Sequence, residues 1–225
     1  MTKIEKTTVQ FLNNLSKNNS REWFKTNKNE WELVNANLKE FLSDLEQEMN
    51  KIDEIEKTKL FRIYRDVRFS KDKTPYNQHY SMSMSRAGTF RRGGYYFRIQ
   101  PKITEAACGF WGPEPSDLKL IRDNIAQDSK PIRKILNAKK FKDTFGELIG
   151  EQLKNVPRGY DKDHRDGDLL KFKQFFVTRK FPTSKVTDPG FMKEIVKTFQ
   201  VARPWFDYMS DILTHDLDGV PLYAN

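Results

Sequence analysis

Several residue types and patterns that usually announce a function are scarce in this chain. Only one of its 225 residues, Cys108, is a cysteine. No internal disulfide framework is therefore available, and a reducing compartment suits the chain. Histidine is limited to His79, His164 and His215, which leaves few candidates for an imidazole base or a nitrogen ligand. No stretch approaches the about 18–20 uninterrupted apolar residues that a membrane span requires. The segment MTKIEKTTVQFLNN lacks the basic start and continuous apolar run of a signal peptide. A soluble, cytoplasmic protein with no membrane partner is the expectation. There is no P-loop and no dinucleotide fingerprint, so no cofactor is expected. Internal repeats, low-complexity tracts and Gly/Ser linkers are also missing.

What is present is aromatic bulk and positive charge. Seventeen phenylalanines and a 13% aromatic content supply ample material for a core. The charged fraction, 32%, is mixed in sign, as in a folded soluble protein. Forty Lys+Arg against 31 Asp+Glu give a formal net charge of +9. A field of that sign favours anionic partners, though it says nothing about fold.

Hydrophobic spacing divides the chain into three regions. Thr7 with Gln10 has the form of a capping box, opening a helix with Phe11, Leu12 and Leu15. Ser20 can cap the next. From Arg21 to about Met49, apolar residues recur at threes and fours, which predicts one long amphipathic helix. The middle region changes to period two. Tyr80, Met82 and Met84 alternate with serines, and YYFRIQ and ITEAACGFW follow short glycine and proline turns. These predict an antiparallel meander of about four or more strands. Pro115 or Ser116 then opens a helix with Leu118, Ile121 and Ile125, and helical character runs on through Phe141 and Leu153. LLKFKQFFV reads as a short helix or strand. Asp188 and Pro189 open a further helix that Pro204 kinks or restarts and that ends near His215. The expectation is a single α+β domain over 1–225: N-terminal helices at 7–50, a sheet at roughly 60–111, and a C-terminal helical part at 116–217.

The densest chemistry lies in FRIYRDVRFSKDKTPY, Phe61 to Tyr76. Its first nine residues alternate as a strand should, with Phe61, Ile63, Val67 and Phe69 on one face and Arg65 among them. An arginine in an apolar row requires a carboxylate or a ligand anion to meet it. Arg62, Arg65, Arg68, Lys71 and Lys73 outnumber Asp66 and Asp72, so the segment can hold negative charge. Arg65 can equally be satisfied by an internal carboxylate while the other cations lie on a solvated face.

The acidic loop PRGYDKDHRDGD, Pro157 to Asp168, invites comparison with a calcium loop. Counted from Asp161, position five is Arg165, six is Asp166 and twelve is Phe172, so the match fails and no metal is expected. A polar loop in which Arg158 pairs with the carboxylates is the better reading. Cys108 alternates within an apolar strand and reads as a packed thiol. No spacing motif supports a nucleophile–histidine pair. If there is chemistry, the acid–base candidates are Asp66, His79 and His164. RRGGYYFRI approximates an RNA-recognition strand, but Gly94 stands where an aromatic is needed.

NNSREWF at Asn18–Phe24, FRIYRDVRFSKDKTPY, GYYFRIQP, GFWGPEP and PRGYDKDH with DLLKFK occur in an order that resembles the bacterial and fungal family catalogued as domain of unknown function 2461. The similarity spans nearly the whole chain. It departs from the family pattern at Asn77, where lysine is usual, at Arg165, where proline is usual, and at Lys102 and Cys108, which tend to be glycine. The resemblance implies one α+β domain and brings no established activity. The functional expectation is a cleft for a small anionic, phosphorylated ligand, with binding alone and binding with catalysis both open. Arg62, Arg65, Arg68, Lys73, Tyr76 and Arg158 would form it, walled by the Arg65 strand, the SKDKTPY turn and the PRGYDKDH loop. The alternatives are a nucleic-acid-binding module stacking bases on Tyr95, Tyr96 and Phe97, and an interaction protein whose arginines are purely structural.

Overall fold

The structure is a computed structural model that describes residues 1–222. Its elements are α1 (Lys6–Lys17), α2 (Arg21–Thr26), α3 (Lys28–Met49), β1 (Ile55–Leu60), β2 (Tyr80–Arg86), β3 (Gly94–Ile99), β4 (Ile103–Phe110), α4 (Pro115–Gln127), α5 (Lys130–Leu136), α6 (Lys139–Phe145), α7 (Gly167–Leu170), β5 (Phe175–Pro182) and α8 (Phe191–Thr214). The fold is α+β, with the strands in one antiparallel sheet of order β1-β2-β3-β4-β5 and helices before and after it. Among the described residues no helix is long and apolar enough to cross a membrane.

Local chemistry accounts for most of the boundaries. The Ser20 hydroxyl accepts from the Trp23 N–H at 3.2 Å and caps α2 as expected. Pro115 occupies the first turn of α4, where its missing N–H costs nothing. The predicted long helix is two: Asn27 folds its side-chain amide back onto the Trp23 carbonyl at 2.8 Å, ending α2 before α3 begins. Glu5, not Thr7, precedes the first turn of α1, and Thr8 is buried. Helical structure stops at Phe145 rather than continuing to Leu153. α8 starts three residues after Asp188 and carries Pro204 inside it without interruption.

The sheet differs from expectation at both ends. It starts at Ile55 and gains a fifth strand, β5, from the segment read as a short helix or strand. Phe61–Phe69 is not a strand, despite its alternation. After the Phe61 N–H donates to the Ser81 carbonyl at 2.9 Å, the chain leaves the sheet, and only Tyr64 pairs again, in an isolated bridge to Tyr76. The polar side chains explain this. Asp66, Ser70, Asp72 and Thr74 bond locally, and such bonds compete with a strand ladder. The apolar row accordingly finds no common core: Ile63 is buried, whereas Phe69 is 95% exposed.

The chain divides into two compact units, each built from separate segments. The first takes Met1–Met84, Tyr96–Ala106 and Lys180–Lys197. Here α3 packs on α1 and β1, and Phe97 meets both Phe41 and Phe191. The second takes Ser85–Tyr95, Ala107–Arg179 and the chain from Thr198 onward. Its centre is aromatic: Trp205 stacks on Phe206 at 5.6 Å, with Phe110 edge-on to both. Gly109 of β4 admits no side chain, because a Cβ there would sit 2.3 Å from the Phe175 carbonyl oxygen. The neighbouring Cys108 thiol is buried, and burial raises its pKa well above the usual thiol value.

Candidate functional site

In the first unit, residues 61–77 form a loop cross-tied by its own charges. The Arg65 N–H donates to the Pro75 carbonyl at 2.9 Å, and the Asn77 N–H to the Ile63 carbonyl at 2.7 Å. Across the loop, the Arg65 Nη1 donates to Asp72 Oδ2 at 2.5 Å and also to Thr74 Oγ1. Backbone and side-chain donation from Thr74, together with Arg65, holds the Asp72 carboxyl down at about 2. The Arg68 guanidinium forks onto Asp66, with Nη2 at 2.6 Å from Oδ2 and Nε at 3.0 Å from Oδ1. That fork lowers the Asp66 pKa and raises that of Arg68. Lys73 Nζ donates to the Val67 carbonyl at 3.0 Å.

Tyr76 anchors the loop base. It is buried, its ring stacks on Phe24 at 4.0 Å and 12°, and burial raises its phenol pKa. Arg62 is exposed at the other end of the segment. His79 follows the loop; burial, then the nearby Arg98 charge, lowers its pKa, which favours the neutral imidazole. The structure thus brings Arg65, Asp66, Arg68, Lys73 and Tyr76 together. Arg65 and Arg68 are already met by internal carboxylates.

Of the residues proposed for base stacking, Tyr95 and Phe97 are fully buried in the core, and only Tyr96 is partly accessible. They do not form a stacking surface.

Arg158 and His164 belong to the second unit. Their loop is organised around Asp166, which is 2% exposed. Its Oδ1 accepts from the Ser129 hydroxyl and from Arg133 Nε, both at 2.7 Å, and its Oδ2 from Arg165 Nε at 3.2 Å. Burial alone would raise the Asp166 pKa; the Ser129 and Arg133 bonds outweigh it and leave the carboxyl below its usual value. Arg133 also reaches Asp168 through Nη2 at 2.7 Å. The Asp166 N–H donates to His164 Nδ1 at 3.1 Å, so the neutral ring carries its proton on Nε2. Tyr160 ties the loop to α4 through a 2.7 Å bond to Asp123; burial and that bond push its phenol up to about 12.

These residues border an open cleft of about 680 Å³, within the range of ligand sites. Arg133, Lys162, Arg165 and Lys171 supply four cations to its wall, against the carboxylates of Asp163 and Asp168. His164 lines it too, whereas Arg158 sits exposed in the preceding turn and is not part of the wall. Val156 is the one aliphatic side chain lining it. Asp166 and Asp168 hold Arg133 and Arg165 at this wall. Among the described residues no group of three or more His, Cys, Asp or Glu is placed to hold a metal ion.

Arg133, Arg165 and Lys171 escaped the sequence reading. Arg133 lies 33 residues before Asp166 on an ordinary-looking helix, and no local spacing links the two. Another missed residue, Arg86, did leave a signal. It continues the buried row of Tyr80, Met82 and Met84 along β2, the arrangement that singled out Arg65. Its side chain is 1% exposed and donates to Asp207 at 3.1 Å, the Ser210 hydroxyl at 3.0 Å and the Arg92 carbonyl at 2.9 Å. It also lies 5.1 Å from the centre of the Phe206 ring.

Comparison with known families gives a match over residues 7–208 to the model described as conserved hypothetical protein (DUF2461). No curated protein matches the chain, and neither does any solved structure.

Proposed function

The chain belongs to the DUF2461 family of conserved hypothetical proteins, and we propose that it binds a small phosphorylated ligand in the cleft beside Asp166. The observation that carries this reading is the convergence of Arg133, Arg165, Lys171 and His164 on one cleft, with Asp166 beneath them. The buried carboxylate holds both arginines by Nε, which fixes where their planes lie before any ligand arrives. The Arg165 guanidinium offers its terminal donors to phosphate oxygens and Lys171 a point charge, while Arg133 is shared with Asp168. His164, whose Nδ1 accepts from the Asp166 N–H, adds Nε2 as a donor.

The wall also restricts what is attached to the phosphate. Among the described residues it carries no phenylalanine, tyrosine or tryptophan as a platform for a base and one aliphatic group, Val156. A hydrophilic phosphate ester, such as a sugar phosphate, fits this lining better than a nucleotide. Calorimetric titration with pyrophosphate and a panel of sugar phosphates tests the reading, with the unphosphorylated sugars as controls. Binding should require the phosphate and weaken about tenfold or more in Lys171→Gln, which removes one charge-assisted hydrogen bond. Equal heats from phosphorylated and unphosphorylated sugars, or an unchanged affinity in Lys171→Gln, would contradict it.

A further inference from the structure

Phe69 stands at the far end of the 61–77 loop with 95% of its surface exposed. Single exposed apolar side chains are ordinary. This one differs in how it is held. Arg65 crosses the loop to Asp72 and Thr74, Lys73 closes onto the Val67 carbonyl, and Arg68 is forked to Asp66. The base is fixed by Asn19 and Phe24. The loop spends its polar groups on its own rigidity while leaving the ring in water. A rigid, exposed aromatic loses little conformational entropy on contact.

The surroundings of the ring identify the partner. Phe61 and Tyr64, 37% and 44% exposed, lie on the same segment, interleaved with Arg62, Arg65 and Arg68. The Arg68 guanidinium is 5.9 Å from the Phe69 ring centre, and Lys71 is exposed two residues on. Over Phe61–Tyr76 five cations oppose two carboxylates, and the whole chain carries +9. Ring faces alternating with cations match a strand of unpaired bases, which offers a stacking face and a phosphate at each step. An anionic membrane matches less well. One phenylalanine gives little insertion there.

We propose that the 61–77 loop docks single-stranded nucleic acid, with Phe69 as a stacking platform and Arg62 and Lys71 as phosphate partners. The surface shares no residue with the cleft at Asp166, and its test uses a different probe. Fluorescence anisotropy of a labelled oligo(dT) strand with the full chain should show binding that weakens as salt rises. Phe69→Ala should weaken it about 5-fold to 150-fold, the value of stacking one base, without lowering the melting temperature. Arg62→Gln with Lys71→Gln should reduce the salt slope by about 0.7 for each phosphate no longer neutralised. Phe69→Trp provides a second readout: it should retain affinity and lose fluorescence on stacking. No binding at low salt, or wild-type affinity in Phe69→Ala, overturns the proposal. So does Phe69-dependent sedimentation with phosphatidylserine vesicles in the absence of oligonucleotide binding.

Discussion

The Asn19 side chain engages the Tyr76 backbone in both directions, although the two residues are 57 positions apart. Its Nδ2 donates to the Tyr76 carbonyl at 2.9 Å, and its Oδ1 accepts from the Tyr76 N–H at 3.2 Å. One side-chain amide thus supplies the pairing that a neighbouring strand would otherwise give. Five residues after Asn19, Phe24 stacks on the Tyr76 ring. The NNSREWF segment and the end of the KTPY turn are therefore two halves of one clamp.

Asn19→Ala should release that clamp. Two partly buried backbone groups would lose their partner, at a cost of about 1–3 kcal/mol in chemical denaturation. Amide exchange at Tyr76 and Asn77 should accelerate more than exchange in α1. A change confined to global stability, with no local acceleration, would mean that Tyr76 is held by its ring alone.

Arg86 gives a second stability test. Arg86→Ala leaves a cavity and strands the Arg92 carbonyl, so a loss of about 3–5 kcal/mol is expected. Arg86→Met keeps the packing over Phe206 and should cost distinctly less. Equal losses in the two variants would show that the charge, not the volume, is what the site requires.

These residues show how far the sequence could be read. The two-residue alternation in 80–110 located β2, β3 and β4, because those side chains do face a core. The same alternation in 61–69 pointed to a strand that does not form, since no neighbouring strand continues the ladder and local side-chain bonds take over. The rule that an apolar-row arginine needs a partner holds for Arg65 and more strongly for Arg86. Sequence could not say that the Arg65 partner is Asp72, seven residues away. The loop with His164 stood out in the sequence, but none of the residues expected to hold the anion, Arg62, Arg65, Arg68, Lys73, Tyr76 and Arg158, lines the cleft beside Asp166. Arg133 was not legible, because its link to Asp166 exists only in three dimensions.

The Arg65–Asp72 tie predicts how the 61–77 loop responds to acid. The Asp72 carboxyl is depressed to about 2 in the folded chain, against about 3.9 for a free one. A lowered carboxyl contributes stability that is present above its unfolded value and lost as pH falls through its folded value. The loop should therefore stay tied down to about pH 4 and loosen between there and about 2. Carboxyl carbon shifts followed by NMR check this, and Asp72→Asn should show the loosened loop at neutral pH. An Asp72 that titrates near the ordinary value would remove the tie.

The central claim concerns the cleft beside Asp166, and amide shift mapping with inorganic phosphate tests it most directly. The account predicts saturable shifts at His164, Arg165, Gly167 and Lys171, which border the cleft. The same titration in Arg165→Gln should need several-fold more phosphate to reach the same shifts. Shifts that never saturate, or that gather on residues 61–77 and spare the cleft, would contradict it.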